Sequence, residues 1–332
     1  MINKKFSNIF ARSHELYLVI TIVAYSIFIS FFNHSFISFE NLFDILKSSS
    51  VLVVLAIGVL IVMISGGIDV SFTAIAAVSM YGSVYLMNKY PGNIFFAFLI
   101  ASIIGIVLGS INAILISYFK LPTLIVTLAT SNIFYGLLLA IVPTAHITSI
   151  PDYLIKFGNG RSLTFTTDSG NLYGFSYITL STIIVLIFTG IILKFTRLGR
   201  NIYAIGSNME AAKRSGISIV RTQFFIYCFA GFMAGVASFL NVSLIRYVNP
   251  FNIYGIIMDV IAAVVLGGTR LAGGRGSVIG TFLGTLLLFL IRNSLIMINV
   301  PSTWDSFVVG SIILSGVSFT IIREKRKIFL EG

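Results

Sequence analysis

The stretch VLVVLAIGVLIVMISGGIDVSFTAIAAVSM, Val51 to Met80, holds two apolar runs joined by the break Ser65 to Asp69. Not one charged residue stands between Val51 and Ile64, and the run extends back to Ser48. A helix rises about 1.5 Å per residue, so such a run comes close to the roughly 30 Å of a bilayer's hydrocarbon core. The second run, 70–88, is of the same order. The reading that decides the fold is therefore a chain that crosses a membrane, turns at SGGID and crosses back.

Working outward, the sequence offers ten such runs, near 15–32, 48–65, 70–88, 93–118, 121–142, 176–195, 222–245, 252–268, 277–298 and 304–322. The composition agrees. Of 332 residues, 57% are hydrophobic and 10% charged, against roughly 25% charged in soluble domains. A soluble protein with greasy helices is excluded because the runs are of membrane length. The expected fold is all-α and polytopic, a single membrane domain over 1–332 with about ten transmembrane helices.

The net charge of +11 is a topology signal. With the N-terminus cytoplasmic, the inner segments collect Lys4, Lys5, Arg12, Lys120, Lys194, Arg197, Arg200, Lys213, Arg214, Arg221, Arg270, Arg275, Arg323, Lys325, Arg326 and Lys327. The outer segments collect only Lys47, Lys89, Lys156, Arg161 and Arg246. Cytoplasmic loops carry the excess of Lys and Arg, so both termini are expected inside. Nucleic-acid binding would need a soluble basic face, and none is legible. The run Leu16 to Phe32 lacks a small-residue cleavage site and reads as a retained first span. The single cysteine, Cys228, excludes an intrachain disulfide.

Two loops are long: an extracytoplasmic one near 143–175, rich in Gly, Ser, Thr and Asn, and a cytoplasmic one near 194–221. Phe39, Leu42, Phe43 and Leu46 have helical spacing and predict a short interfacial helix. Within the inner loop lies GSNMEAAKRSG, Gly206 to Gly216. Ser207 and Glu210 form an S-x-x-E capping box and Gly216 is a C-terminal stop, predicting two helical turns over Asn208 to Ser215. So short a helix is marginal in water and wants a partner surface. The alternative is a solvated connector.

EAAKRSG followed by Ile226 resembles the EAA–Gly–Ile motif of ABC-importer permeases, with Cys228 and Phe229 where that motif closes with Leu-Pro. SGGIDVSFTAIAAVSMYGS, GRNIYAIGSNMEAAKRSGI and MDVIAAVVLGGTRLAGGRGSVIGTFLGTLLL are similar, in this order, to three blocks of the ribose and simple-sugar permeases of that class. The resemblance implies a permease subunit in the bacterial cytoplasmic membrane, with 194–221 as its coupling loop. Ser207, Glu210, Ala211, Ala212 and Gly216 would contact a separate tandem-domain ATPase that holds the ATP and Mg. It also implies a second permease subunit, identical or not, an extracytoplasmic sugar-binding protein, and a simple sugar such as ribose, xylose or galactose, a polyol, or the sugar-derived signal autoinducer 2. No cofactor is expected on this chain.

The glycine-rich breaks, Gly66-Gly67 with Asp69 and GGTRLAGGRGS beginning at Gly267-Gly268, resemble each other and point to an internal repeat. Paired glycine-interrupted spans mark translocation paths. Asp69 either caps the third span or faces the gate. Asn112, Thr127, Thr130, Asn132 and Asn293 are candidates to line the path or, equally, to bond helix to helix. Asp259 and Arg292 fall in apolar spans and are expected to pair with each other or with backbone, since charge in hydrocarbon is costly. The four-residue spacings of Gly276, Gly280 and Gly284, of Gly105 and Gly109, and of Gly231 and Gly235 read as close-packing faces.

Enzyme chemistry is not legible. GGTRLAGGRGS lacks the lysine of a phosphate loop, and His14, His34 and His146 stand far apart without neighbours at metal-ligand spacing. The rival reading, an ion-coupled secondary transporter, needs mid-membrane carboxylates, and only Asp69 and Asp259 offer themselves.

Overall fold

A computed structural model describes residues 2–90, 92–142, 146–166, 170, 172–304, 307–308, 310–311 and 314. The helices are α1 (Ile2–Ser30), α2 (Phe39–Ile64), α3 (Phe72–Lys89), α4 (Ile94–Ser117), α5 (Thr123–Ile141) and α6 (Asp152–Asn159). A hairpin of β1 (Arg161–Thr166) and β2 (Leu172–Ser176) follows. Then come α7 (Tyr177–Phe195), α8 (Arg197–Ser207), α9 (Met209–Arg214), α10 (Ile219–Ile245), α11 (Pro250–Tyr254), α12 (Ile257–Leu266) and α13 (Val278–Met297).

Among the described residues, six helices are long and apolar enough to cross a membrane: α2, α4, α5, α7, α10 and α13. They match the second, fourth, fifth, sixth, seventh and ninth of the expected runs. The first and eighth runs fall on shorter apolar helices, His14–Ser30 and Phe251–Leu266, and the third on the less apolar α3. The tenth, 304–322, lies largely outside the described residues, as does the C-terminal basic cluster.

Polar caps set the helix starts. The side chains of Asn93, Ser176 and Ser277 accept the backbone N–H of Phe96, Thr179 and Gly280, satisfying donors a helix start leaves open. The predicted interfacial helix at 39–46 is instead the opening of α2. Ser38 Oγ caps it by accepting from Asn41 N at 3.2 Å. Ser49 and Ser50 donate back to the Leu46 carbonyl, so the polar SSS triplet continues the helix rather than breaking it.

Two helices form the centre. In α2, 83% of the apolar window is buried inside the protein, and in α10, 78%. In α4, α5 and α7 about a third is, leaving Val107, Ile125, Leu128, Ile184 and Phe188 among the apolar side chains on open faces. Surfaces this apolar are compatible with lipid, not with water.

The glycine spacings meet as expected. Gly105 and Gly109 of α4 face Gly231 and Gly235 of α10, and a Cβ on Gly105 would overlap the Gly231 carbonyl oxygen. The same holds between Gly280 of α13 and Gly267. Small residues here let backbones touch, and dispersion over that contact replaces the hydrophobic drive that lipid does not supply.

The bundle has two distinct ends. At one, Phe43 of α2 packs on Phe165, Tyr173 and Phe175 of the hairpin, and α6 sits so close to the end of α10 that a Cβ on Gly158 would overlap the Ser243 carbonyl. At the other end lie the glycine breaks, α8 and α9.

Candidate functional site

The three sequence blocks that stood apart along the chain converge at the α8–α9 end. The helix α2 finishes at Ile64, and Gly66, at φ +83°, turns the chain. Gly66 N donates to Met63 O and Gly67 N to Val62 O, the paired bonds of a Schellman end. At the end of α12 the pattern repeats: Gly268, at φ +87°, donates to Val265 O, and Thr269 N to Val264 O. The two breaks, suspected of being a repeat, share one backbone geometry, which needs a left-handed residue where glycine has no Cβ to clash.

The breaks also bond to each other. Gly274 N donates to Ile64 O at 2.8 Å, filling a carbonyl that a helix end leaves open. The helix α8 lies across both. Tyr203 Oη donates to Gly276 O at 2.9 Å. Gly206 is so close that a Cβ there would overlap Ile64 O and come within 2.6 Å of Gly274 N. Burial pushes the Tyr203 phenol up to about 12, so it stays a protonated donor. From the N-terminal side, His14 Nε2 donates to Leu266 O at 3.1 Å, and Ser277 Oγ donates to Glu15.

Beyond α8 comes α9, the predicted short helix, with its cap corrected. Ser207 is not the N-cap: it is the last residue of α8, and its Oγ donates to Tyr203 O at 2.8 Å. Asn208 is the cap, extended at φ −162°, and its Oδ1 accepts from Ala211 N at 2.9 Å. The S-x-x-E pattern misled because the preceding turn is already helical, so the serine hydroxyl bonds backward within it. The far end is as expected. Gly216, at φ +79°, donates to Lys213 O, and Ile217 N to Ala212 O, a third Schellman end. Ala212 is buried against the bundle, while Met209, Glu210, Ala211, Lys213 and Arg214 are exposed.

On the other side of the first break, α4 and α5 hold the GGID loop. Asp69, 2% exposed, accepts through Oδ1 from Ser71 N at 2.7 Å and from Ser71 Oγ at 2.6 Å, at the start of α3. Ser71 is itself the N-cap residue of α3, without a side-chain cap bond, so Asp69 braces the turn that leads into the helix. Asn112 Nδ2 donates to Ser71 Oγ at 2.7 Å. Ile68 N donates to Thr123 Oγ1, and Thr127 Oγ1 donates to Ile68 O, both at 3.2 Å. A Cβ on Gly67 would lie 2.7 Å from Tyr227 Oη.

So Gly66, Gly67, Asp69, Asn112 and Thr127 come together, and Gly267 and Gly268 join through the second break. Thr130 bonds its own helix at Val126 O, Asn132 lies on the exposed face of α5, and Asn293 sits partly buried in α13. These three are not part of the cluster. Asp259 and Arg292 pair as expected, at 2.8 Å, near the opposite end. Tyr203, Ser71, Thr123 and Tyr227 were missed. Leu198, Ile202 and Ile205, at helical spacing and turned toward the protein interior, carried a signal for α8. Nothing in the sequence pointed to the hydroxyls.

Long apolar helices, broken at glycines that are gathered under an exposed amphipathic element, define a multi-pass α-helical membrane protein. The family described as branched-chain amino acid transport system / permease component matches residues 41–316, and the chain belongs to this family of permeases. Among similar proteins is the autoinducer 2 import system permease protein LsrC of Photorhabdus luminescens, 29% identical over 309 residues, 93% of this chain and 90% of that protein. LsrC of Salmonella typhi is 30% identical over 93% of this chain and 86% of its own length. The ribose import permease protein RbsC of Haemophilus influenzae is 29% identical over 87% of each. These relatives agree with the resemblance to simple-sugar permeases carried by the three blocks. No solved structure matches the chain.

Proposed function

We propose that this chain is the membrane-spanning subunit of an ATP-driven importer for a sugar or sugar-derived solute, and that it receives its energy through α8 and α9 from a separate ATPase. The observation that carries the reading is the arrangement of α8 and α9. One side of the pair is fixed to both glycine breaks by Tyr203 and Gly206, while the other presents Met209, Glu210, Lys213 and Arg214 outward. A displacement of α9 by a docked protein is thereby handed to the ends of α2 and α12. Ligand-driven change requires differential contacts in two states, and this surface supplies a place for them.

In this reading the α8–α9 end is cytoplasmic and the hairpin end extracytoplasmic, where a sugar-binding protein would dock. Ten spans and two cytoplasmic termini follow, with a second permease subunit completing the pathway. The relatives' solutes, ribose and autoinducer 2, are the two to try first. Ion coupling is disfavoured by the occupation of both available carboxylates, Asp259 by Arg292 and Asp69 by Ser71.

The test is reconstitution with a tandem-domain ATPase and binding protein. Glu210→Arg and Gly216→Trp should leave the permease in the membrane and abolish ATP-driven uptake of D-ribose or autoinducer 2. Wild-type import by an assembled complex carrying either change refutes the coupling role.

A further inference from the structure

Toward the hairpin end, α2, α10, α12 and α13 line a half-open cavity of about 190 Å³, whose walls are mostly apolar and whose five polar groups come from separate elements. Ser48 projects from α2, Asn241 from α10, Asn252 from α11, Asp259 from α12 and Arg292 from α13, with Phe289 as an aromatic wall. Arg292 lies five residues from the end of α13, about 8 Å at helical rise. An ionisable residue at such depth is a functional feature by default. We propose that this cavity is a solute-contact site on the translocation path, fitted to an uncharged, hydroxyl-rich molecule of monosaccharide size. The proposal rests on the importer reading and names the class of molecule its pathway holds.

The chemistry of the lining selects that class. Asp259 and Arg292 neutralise each other, with Nη2 donating to Oδ1 at 2.8 Å. A charged solute would have to compete with this half-buried pair, each of whose members already faces an opposite charge. A hydroxyl need not compete. It donates to a carboxylate and accepts from a guanidinium, so two neighbouring hydroxyls can bridge the pair without parting it.

Asn241 is 7% exposed, and its amide donates at 3.4 Å to the thioether sulfur of Met80, a weak acceptor. A sugar oxygen would be a better partner. The Asn252 amide donates to Tyr247 Oη at 2.9 Å at the rim. Ser48 and the two carboxamides are all able to donate and accept, as a ring of hydroxyls requires. The volume lies below the roughly 300–1,000 Å³ of sites for drug-sized ligands, and one six-membered or five-membered ring with its hydroxyls is the right scale. Phe289 offers an apolar face to the C–H side of such a ring.

The experiment uses the full complex of permease, ATPase and binding protein in proteoliposomes. ATP-driven uptake of D-ribose and of autoinducer 2 by wild type comes first, and the solute that is imported becomes the probe for saturation-transfer NMR on the permease–ATPase complex without binding protein. Wild type should show saturable transfer at millimolar probe, with succinate and putrescine giving none. Asn241→Leu, and separately Asp259→Asn with Arg292→Gln together, should weaken that transfer at least tenfold and lower the solute imported per ATP. Asn241→Gln should restore both in part, which a purely structural role would not require. Assembly is checked by size exclusion before either measurement. If wild type imports a probe yet shows no transfer, or the assembled variants bind it as wild type does, the cavity is not a solute site and the importer reading stands. If wild type imports neither probe with ATP, the importer reading fails and takes the site with it.

Discussion

Replacing Gly206 by alanine adds one methyl group at the place where α8 crosses both breaks. Its Cβ would overlap the Ile64 carbonyl oxygen and stand 2.6 Å from Gly274 N, where ordinary contact begins at 3.4 Å. Both obstacles are backbone atoms, which cannot rotate aside as a side chain would. The helix must withdraw, or the Gly274–Ile64 hydrogen bond must open. Overpacking of this kind costs about 1–3 kcal/mol, which is offset only partly by the roughly 0.5–1 kcal/mol that alanine gains over glycine inside a helix. At about 1.4 kcal/mol per factor of ten, a net cost of up to about 2.5 kcal/mol should move the balance between access states by up to about sixtyfold. Gly136 and Gly190 serve as controls, because a Cβ on either meets nothing within 4 Å and only the helix gain remains. The assay is the ratio of solute imported to ATP hydrolysed in proteoliposomes. Gly206→Ala should lower that ratio, by several-fold at the middle of this range, while Gly136→Ala and Gly190→Ala leave it at the wild-type value. An unchanged ratio for Gly206→Ala in an assembled complex would refute the claim that α8 transmits through backbone contact.

Three further outcomes follow from the geometry. Asn208→Ala removes the cap of α9 and should cost about 1 kcal/mol of local helix stability, read as faster amide exchange at Ala211, whereas Ser207→Ala should leave that exchange unchanged; the reverse result would restore the serine as cap. Gly105→Leu drives a side chain into the Gly231 carbonyl and should eliminate the monodisperse peak in fluorescence-detected size exclusion, with Gly136→Leu as the tolerated comparison. The Tyr203 phenol is raised from its ordinary value near 10 to about 12 by burial. The unfolded state therefore loses this proton first, and the stability linked to it is intact below about pH 10 and falls as pH rises toward 12. Tyr203→Phe should flatten the decline in Tm across that window relative to wild type, and parallel declines would contradict the burial.

How much of this was legible depended on the kind of interaction. Helix-length runs and the facing glycines at 105, 109, 231 and 235 were readable because apolarity and spacing are one-dimensional properties of a helix. The Schellman ends at Gly66, Gly216 and Gly268 were half legible: the glycines announce a stop, but the paired bonds behind them appear only in three dimensions. The cap at Asn208 was missed because Ser207 offered the commoner pattern, and only the extension of α8 through Ser207 decides between them. The junction of the breaks was not legible at all. It consists of the Ile64 carbonyl, the Gly274 amide and the absence of a side chain at Gly206, and backbone groups are the same in every sequence. The GGID loop is a mixed case: a local structural role for Asp69 at the start of the third span was legible, but Asn112, which bonds Ser71, and Thr123 and Thr127, which bond Ile68, come from helices far along the chain.

The two ends of the bundle are linked by a short element. The helix α12 has ten residues and so spans about 15 Å. Asp259 lies in its first turn, against the cavity, and Gly268 ends it beside the junction with α2 and α13. A rod this short cannot bend appreciably, so movement at its glycine end displaces Asp259 relative to Arg292 on α13. Glycine contacts on the same side, Gly267 against Gly280 and Gly284 against the Ala263 carbonyl, bring the backbones of α12 and α13 together, with Leu266 and Leu288 packed beside them. Packed backbones of this kind have discrete arrangements rather than a continuum. In the proposed reading, a push on α9 reaches Asp259 as a change in its separation from Arg292.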